Sequence, residues 1–295
     1  QALNRNVLKG AEFRPMIIAV EDLHWIDKSS EQRFKSLLDS ISGARVFLIF
    51  TYRPEFVHTW GGKSYHSQVN LNRLSNRESL VMVGKLLETE DIDKDLASLI
   101  LEKTEGIPLF IEEFVKSLHE LKIIKETGKK YQISKDIQEV TIPSTIQDVI
   151  MARIDSLPED AKELLQTGSV IEREFSHVLI RKVMGLSEEV LLSNLSLLKD
   201  TELLYERGIY PQSTYIFKHA LTQDVVYNSI LIKRRKQSHE LVGNAIEDLY
   251  KDNINEHYEV LAEHYIASEN YEKAATYSRL AGNRAELSAS FPDAI

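Results

Sequence analysis

The chain has 295 residues, 43% of them hydrophobic and 27% charged, a balance that fits ordinary globular domains, roughly two at this length. It contains no cysteine, which excludes disulfide frameworks, thiolate zinc sites and cysteine nucleophiles. A net charge of −9, and no apolar run near the roughly 18 residues of a spanning helix, point to a cytoplasmic protein that binds neither nucleic acid nor membrane directly.

Residues 1–15 read as the tail of a helix, with Val7, Leu8 and Phe13 as packing residues. The apolar run Met16 to Val20 follows and predicts a short strand buried on both faces. Glu21 and Asp22 stand at its carboxyl end, where an open parallel sheet holds its ligands. A helix comes next, capped by Asp27 or Ser29, with Phe34, Leu37, Leu38 and Ile41 at helical spacing and Gly43 at its end. Val46 to Phe50 forms a second strand. It runs into Thr51, Tyr52, Arg53 and Pro54, which places those polar residues at the same sheet edge.

The words E-D-L-H-W-x-D at 21–27 and T-Y-R-P-E at 51–55 resemble the second half of the core of P-loop NTPases. They are most similar to the AAA-like STAND ATPases of signalling proteins, including those beside class III adenylyl cyclase domains. The resemblance implies ATP and magnesium as cofactors. Glu21 would hold the metal through water, Asp22 would contact it and orient the attacking water, and Arg53 would read the terminal phosphate. Asp27 and Thr51 join the nucleotide-facing set. The family often has aspartate where this chain has Glu21, although glutamate also offers oxygen to a hard cation. The order of the words places the phosphate-binding loop upstream of Gln1. G-G-K-S at 61–64 is not that loop, because the pattern needs glycine where Val57 stands and a strand before it. Residues 58–70 read as a surface loop.

From Leu71 the pattern is helical. One helix carries Leu80, Val83, Leu86 and Leu87, and another carries Leu96, Leu99 and Ile100. A third begins at Pro108 after the Gly106 turn. In the resembled family this Gly-x-Pro step belongs to a small lid, with the proline near the nucleotide. Two short strands around Gly128 open a new unit. Helices follow over about 143–157 and 159–170, then about 176–184 and 187–200. A hairpin closes the unit, built from 203–207 and 215–219 through 208–213. The set resembles the winged-helix domain that follows the ATPase core. It lacks a basic recognition helix, so a packing or regulatory role is expected rather than DNA binding. At 171–175, I-E-R-E-F departs from the family's I-G-R-E-F, and Glu172 puts a left-handed turn there in doubt.

The segment F-K-H-A-L-T-Q-D-V-V-Y at 217–227 matches a further family word, in which His219 lies near the nucleotide. The basic run at 233–236 reads as a solvated helix end. Setting Tyr258 at repeat position 4 puts Leu261, Ala262, Tyr265, Ala274 and Ala281 in the pattern of a tetratricopeptide repeat. Phe291 and Ala294 open the next repeat, and more repeats are expected downstream.

The expected fold is mixed and mainly α. It comprises a partial parallel α/β core (1–70), a helical lid (71–122), a winged helix (123–220), linking helices (221–254) and the start of helical repeats (255–295). The function this implies is an ATP-binding and ATP-hydrolysing switch module of a multidomain signalling protein, of adenylyl-cyclase or transcription-regulator type. Nucleotide would lock the lid and winged helix against the core, hydrolysis would release them and change what the repeats or an attached output domain bind, and a nucleotide-dependent oligomer is a further expectation. The alternative is a scaffold for protein partners without catalysis. No cyclase metal-binding pair is recognisable.

Overall fold

Parallel pairing of β1 (Met16–Val20) with β2 (Val46–Phe50), in register from Met16 opposite Val46 to Val20 opposite Phe50, sets the frame of the amino-terminal unit. The computed structural model describes residues 2–60, 63–89, 91–127, 130–134 and 145–289. The chain divides into two units, Gln1–Asn72 and Arg73–Ile295.

In the first unit, α1 (Ala2–Phe13) and α2 (Lys28–Ser40) cover one face of the two-stranded sheet. Val7, Leu37 and Ile41 are buried there against Ile18, Val46 and Leu48. The opposite face is bare: Ile17 is 73% exposed and Phe47 63%. The expected strand buried on both faces is therefore corrected to one buried face, since helices pack on one side only. Phe13, expected to pack, is 87% exposed at the end of α1. The α2 cap is Asp27, whose Oδ1 accepts the Ser29 and Ser30 amides at 2.8 and 3.0 Å.

The second unit opens with α3 (Asn76–Leu86), α4 (Lys94–Thr104) and α5 (Pro108–Glu120). Ser75 and Glu78 close a capping box on α3, and Pro108 fills the first position of α5, where no amide is needed. Gly106 lies at φ 74°, and a Cβ there would meet the Leu74 carbonyl oxygen at 2.2 Å, so the turn requires glycine. Val83, Leu96, Ile100, Ile111, Phe114 and Leu118 form the core of these helices. The expected hairpin appears as β4 (Ile124–Thr127) against β5 (Lys130–Ile133). A two-residue strand not read in the sequence, β3 (Asp91–Ile92), pairs parallel with β5.

Helices α6 (Ile146–Asp155), α7 (Glu159–Ile171), α8 (His177–Met184) and α9 (Glu188–Asp200) carry a second core. α6 serves both cores: Val149 belongs to the first, whereas Ile150 and Ile154 belong to the second. The hairpin of β7 (Leu204–Arg207) and β8 (Thr214–Phe217) forms as expected, and an unread strand, β6 (Glu174–Ser176), pairs on the far side of β8. Glu172 is extended at φ −175°, so no left-handed turn exists there and a side chain brings no backbone strain.

Last come α10 (Ala220–Ser229), α11 (Ile232–Leu249), α12 (Tyr258–Ala267) and α13 (Tyr271–Ala289). Leu261, Ala262, Tyr265 and Ala274 are buried, as the repeat pattern expects. Gly243 of α11 receives Tyr265: a Cβ would stand 2.9 Å from its Cζ, and the ring stacks on Tyr277 at 5.7 Å. The basic run is not merely solvated, since Arg234 pairs with Glu163 and Lys236 with Glu269. Phe291 and Ala294, read as the next repeat, fall outside the described residues. No helix among the described residues is long and apolar enough to cross a membrane.

Candidate functional site

The end of β1 is tied to the end of β2 by a short set of bonds. The Thr51 amide donates to the Val20 carbonyl at 3.1 Å, and the Leu23 amide donates to the Thr51 carbonyl at 2.8 Å. The Asp22 amide donates to Thr51 Oγ1 at 3.0 Å. These bonds hold Asp22 at φ 54°, ψ 41°, a left-handed conformation that asparagine and aspartate tolerate better than most residues. The turn then closes as a short 3-10 helix, Leu23–Trp25, anchored by the buried Leu23. Glu21, Asp22, Thr51 and Arg53 are all exposed along this edge.

Among the described residues, no hydrogen bond or ion pair engages the carboxylates of Glu21 and Asp22 or the guanidinium of Arg53. Both carboxylates are thus open to a hydrated hard cation, and Arg53 is open to an anion. Both ring nitrogens of the neighbouring His24 are buried without a partner. A buried polar atom without a partner is uncommon and costly. Asp27 differs, because its carboxylate caps α2. A hydrogen bond from the Ser30 side chain, with the Ser29 and Ser30 amides, holds it below the usual aspartate range. Sequence reasoning placed Thr51 on the nucleotide. The structure gives its hydroxyl the task of receiving the Asp22 amide.

Pro108 and His219 belong to the second unit. His219 leads into α10 with Nε2 buried and unpartnered, and its ring lies beside Glu112 and Glu113. Burial lowers its proton affinity, against the pull of Glu113 and Glu112. One ligand atom from each of these three residues falls within 4.8 Å of the others. The donor set does not suit a metal, because both carboxylates are already committed to cations: Glu112 to Lys116 and Lys218, and Glu113 to Arg153.

Two polar clusters in this unit were not read in the sequence. Lys116, Glu112, Lys218 and Glu202 alternate in sign around a closed square. Hydrogen bonds from Lys116 and Lys218 pull Glu202 down to about 2. Burial works against the Lys218 ammonium, but hydrogen bonds to Glu112 and Glu202 hold it above the ordinary lysine range. The second cluster joins α10, α11 and α12. His239 Nδ1 lies 2.9 Å from His264 Nδ1, and its Nε2 lies 2.9 Å from the Tyr227 hydroxyl. Burial, followed by the nearby charge of Arg235 for His239 and of His239 for His264, lowers both imidazoles to about 4. Two-fold histidine contacts of this kind carry no local spacing signal, since the rings are 25 residues apart.

Residues 75–128 match a domain of unknown function, DUF8739. An uncharacterised protein of Rhizobium meliloti (strain 1021) is 25% identical over 235 residues, 79% of this chain and 22% of that protein. Among solved structures, the signal transduction ATPase with numerous domains (STAND) with a tetratricopeptide repeat sensor from Pyrococcus horikoshii is similar. It aligns with a TM-score of 0.53 and 15% identity, over 94% of this chain and 39% of that one. The chain therefore spans about a fifth and two fifths of the lengths of these relatives. At such identity the structural likeness establishes architecture: the fold is mixed and mainly α, of the layout seen in that repeat-bearing protein.

Proposed function

We propose that the chain is part of a nucleotide-dependent signalling switch, in which Glu21, Asp22 and Arg53 face magnesium-bound ATP. The observation that carries this reading is the strand edge, where two carboxylates and a guanidinium stand without protein partners while Thr51 pins the backbone beneath them. Charges left unpaired on a backbone held in a sparsely populated conformation fit a site that waits for a ligand.

In this reading Glu21 would hold the hydrated metal, Asp22 would orient the attacking water and accept its proton, and Arg53 would meet the terminal phosphate. Magnesium, when bound, supplies neutralisation of the phosphate charge. Thr51 acts from behind, keeping Asp22 in place, and its own hydroxyl proton stays available to an oxygen anion. Asp27, Pro108 and His219 remain candidate nucleotide contacts. No G-x-x-x-x-G-K-[ST] loop occurs in the sequence, so the reading requires one beyond residues 1–295. We place the protein in the cytoplasm, with protein partners engaged through α12 and α13. The attached output, cyclase or transcription regulator, is left to the longer protein.

The test is made on the full-length protein. Asp22→Asn is expected to lower ATP turnover by about 100-fold or more while magnesium-dependent ATP binding persists, as loss of a positioned base does. A wild-type protein that neither binds nor hydrolyses ATP would sink the switch and leave the scaffold reading.

A further inference from the structure

The charged square joins two parts of the chain that lie far apart in sequence. Glu112 and Lys116 sit on successive turns of α5, whereas Glu202 occupies the turn between α9 and β7 and Lys218 follows β8. Lys116 reaches Glu202 across 86 residues, and Lys218 reaches Glu112 across 106 at 2.5 Å. Lys116 to Glu112 at 2.8 Å and Lys218 to Glu202 at 2.6 Å close the figure. Beneath it lies a second layer. Arg153 of α6 is buried against Glu113, with Glu120 at 3.0 Å and the Thr201 carbonyl at 2.6 Å. Both layers grip the same turn, since Thr201 and Glu202 are adjacent and Glu202 is held at φ 55°.

The two layers differ in what opening them would expose. Removing Arg153 from Glu113 strands a carboxylate with 2% of its side chain exposed, so the lower layer is made once and kept. The upper layer meets water mainly at one corner: Glu202 has 49% side-chain exposure, whereas Lys116, Glu112 and Lys218 have 20%, 18% and 12%. At that corner Glu202 can exchange its two lysine partners for water and salt ions. A joint built only to last would be apolar, because buried ion pairs add little over well-packed hydrophobic groups. We propose that α5 and the β7–β8 hairpin form a releasable joint, in which the Glu112–Lys116–Glu202–Lys218 square is an ion-sensitive latch and Arg153 the pivot beneath it. This does not depend on nucleotide binding by the first unit. Lys116 and Glu120 also line a cleft of about 280 Å³ beside Leu86, Leu87 and Val115, so solvent and ions reach the joint from that side.

These 295 residues hold no cysteine, so labels can be placed in them at chosen sites. Ser98→Cys on α4 and Ser193→Cys on α9, both exposed, carry a pair of spin labels whose distance distribution is recorded. At low salt one narrow distribution is expected, and 1 M sodium chloride should add a longer population. Glu202→Lys with Lys218→Glu reverses one side of the square without changing the net charge. It should raise the longer population at least tenfold at low salt. Adding Glu112→Lys and Lys116→Glu restores the alternation and should return the narrow distribution. The proposal is overturned if the reversed protein keeps the wild-type distribution, or if the fourfold variant stays open. Should the variants fail to fold, the wild-type salt series decides: no longer population at 1 M salt refutes the latch.

Discussion

The β1–β2 edge and the α5–hairpin joint use the same residue types to opposite ends. At the edge, among the described residues, the side chains of Glu21, Asp22 and Arg53 are exposed and unpartnered, and Thr51 holds the backbone beneath them. At the joint, each charge has at least one opposite partner, and Arg153 has two carboxylates and a carbonyl. Charge held open is available to a ligand, and charge spent internally serves the fold. The distinction depends on partners, not on composition.

The largest effect that can break this comparison is at the joint. Arg153→Ala is expected to cost about 3–5 kcal/mol in urea unfolding, because Glu113 is left buried without a counter-charge. A loss below 1 kcal/mol would move Arg153 into the class of edge charges. Acid comes next. His239 and His264 protonate at about 4 in the folded chain, against an ordinary 6.5. Between those values the unfolded chain binds more protons, so stability is full above pH 6.5 and falls as pH drops toward 4. The loss should be on the order of 3 kcal/mol for each imidazole, read as a falling thermal midpoint, and His264→Gln should remove about half of it. An unchanged slope in that variant would assign the acid response elsewhere. The smallest effect belongs to the edge. Thr51→Val removes the acceptor of the Asp22 amide and should cost about 1 kcal/mol, whereas Arg53→Gln should stay within about 0.5 kcal/mol. If Arg53→Gln proved the costlier of the two, Arg53 would be structural.

Much of this architecture was legible in residue spacing. Apolar runs gave β1 and β2, Asp27 announced its helix, and the Gly106 turn followed from a glycine two residues before a proline. What escaped has a physical reason. A two-residue strand such as β3 has no period to detect, and β6 is scarcely longer. The bare face of the sheet was invisible because an apolar run does not say how many layers cover it. The joint escaped because Glu112 and Lys218 look, one at a time, like any solvated surface pair. His239 and His264 met only through the docking of α12 on α11. Of the candidate site, the exposed edge was readable from its words. The task of Thr51 needed the backbone bond to Asp22.

The seat of Tyr265 on Gly243 bears on how such a protein can be re-equipped. Where α11 lacks a side chain it accepts one aromatic ring, and a Cβ there would push that ring away, so the fit of the first helical pair on α11 depends on this glycine. Anyone grafting a different repeat array onto this chain inherits that constraint. A donor array presenting a tyrosine at the eleventh repeat position should couple directly, whereas one lacking it would leave a hollow above Gly243.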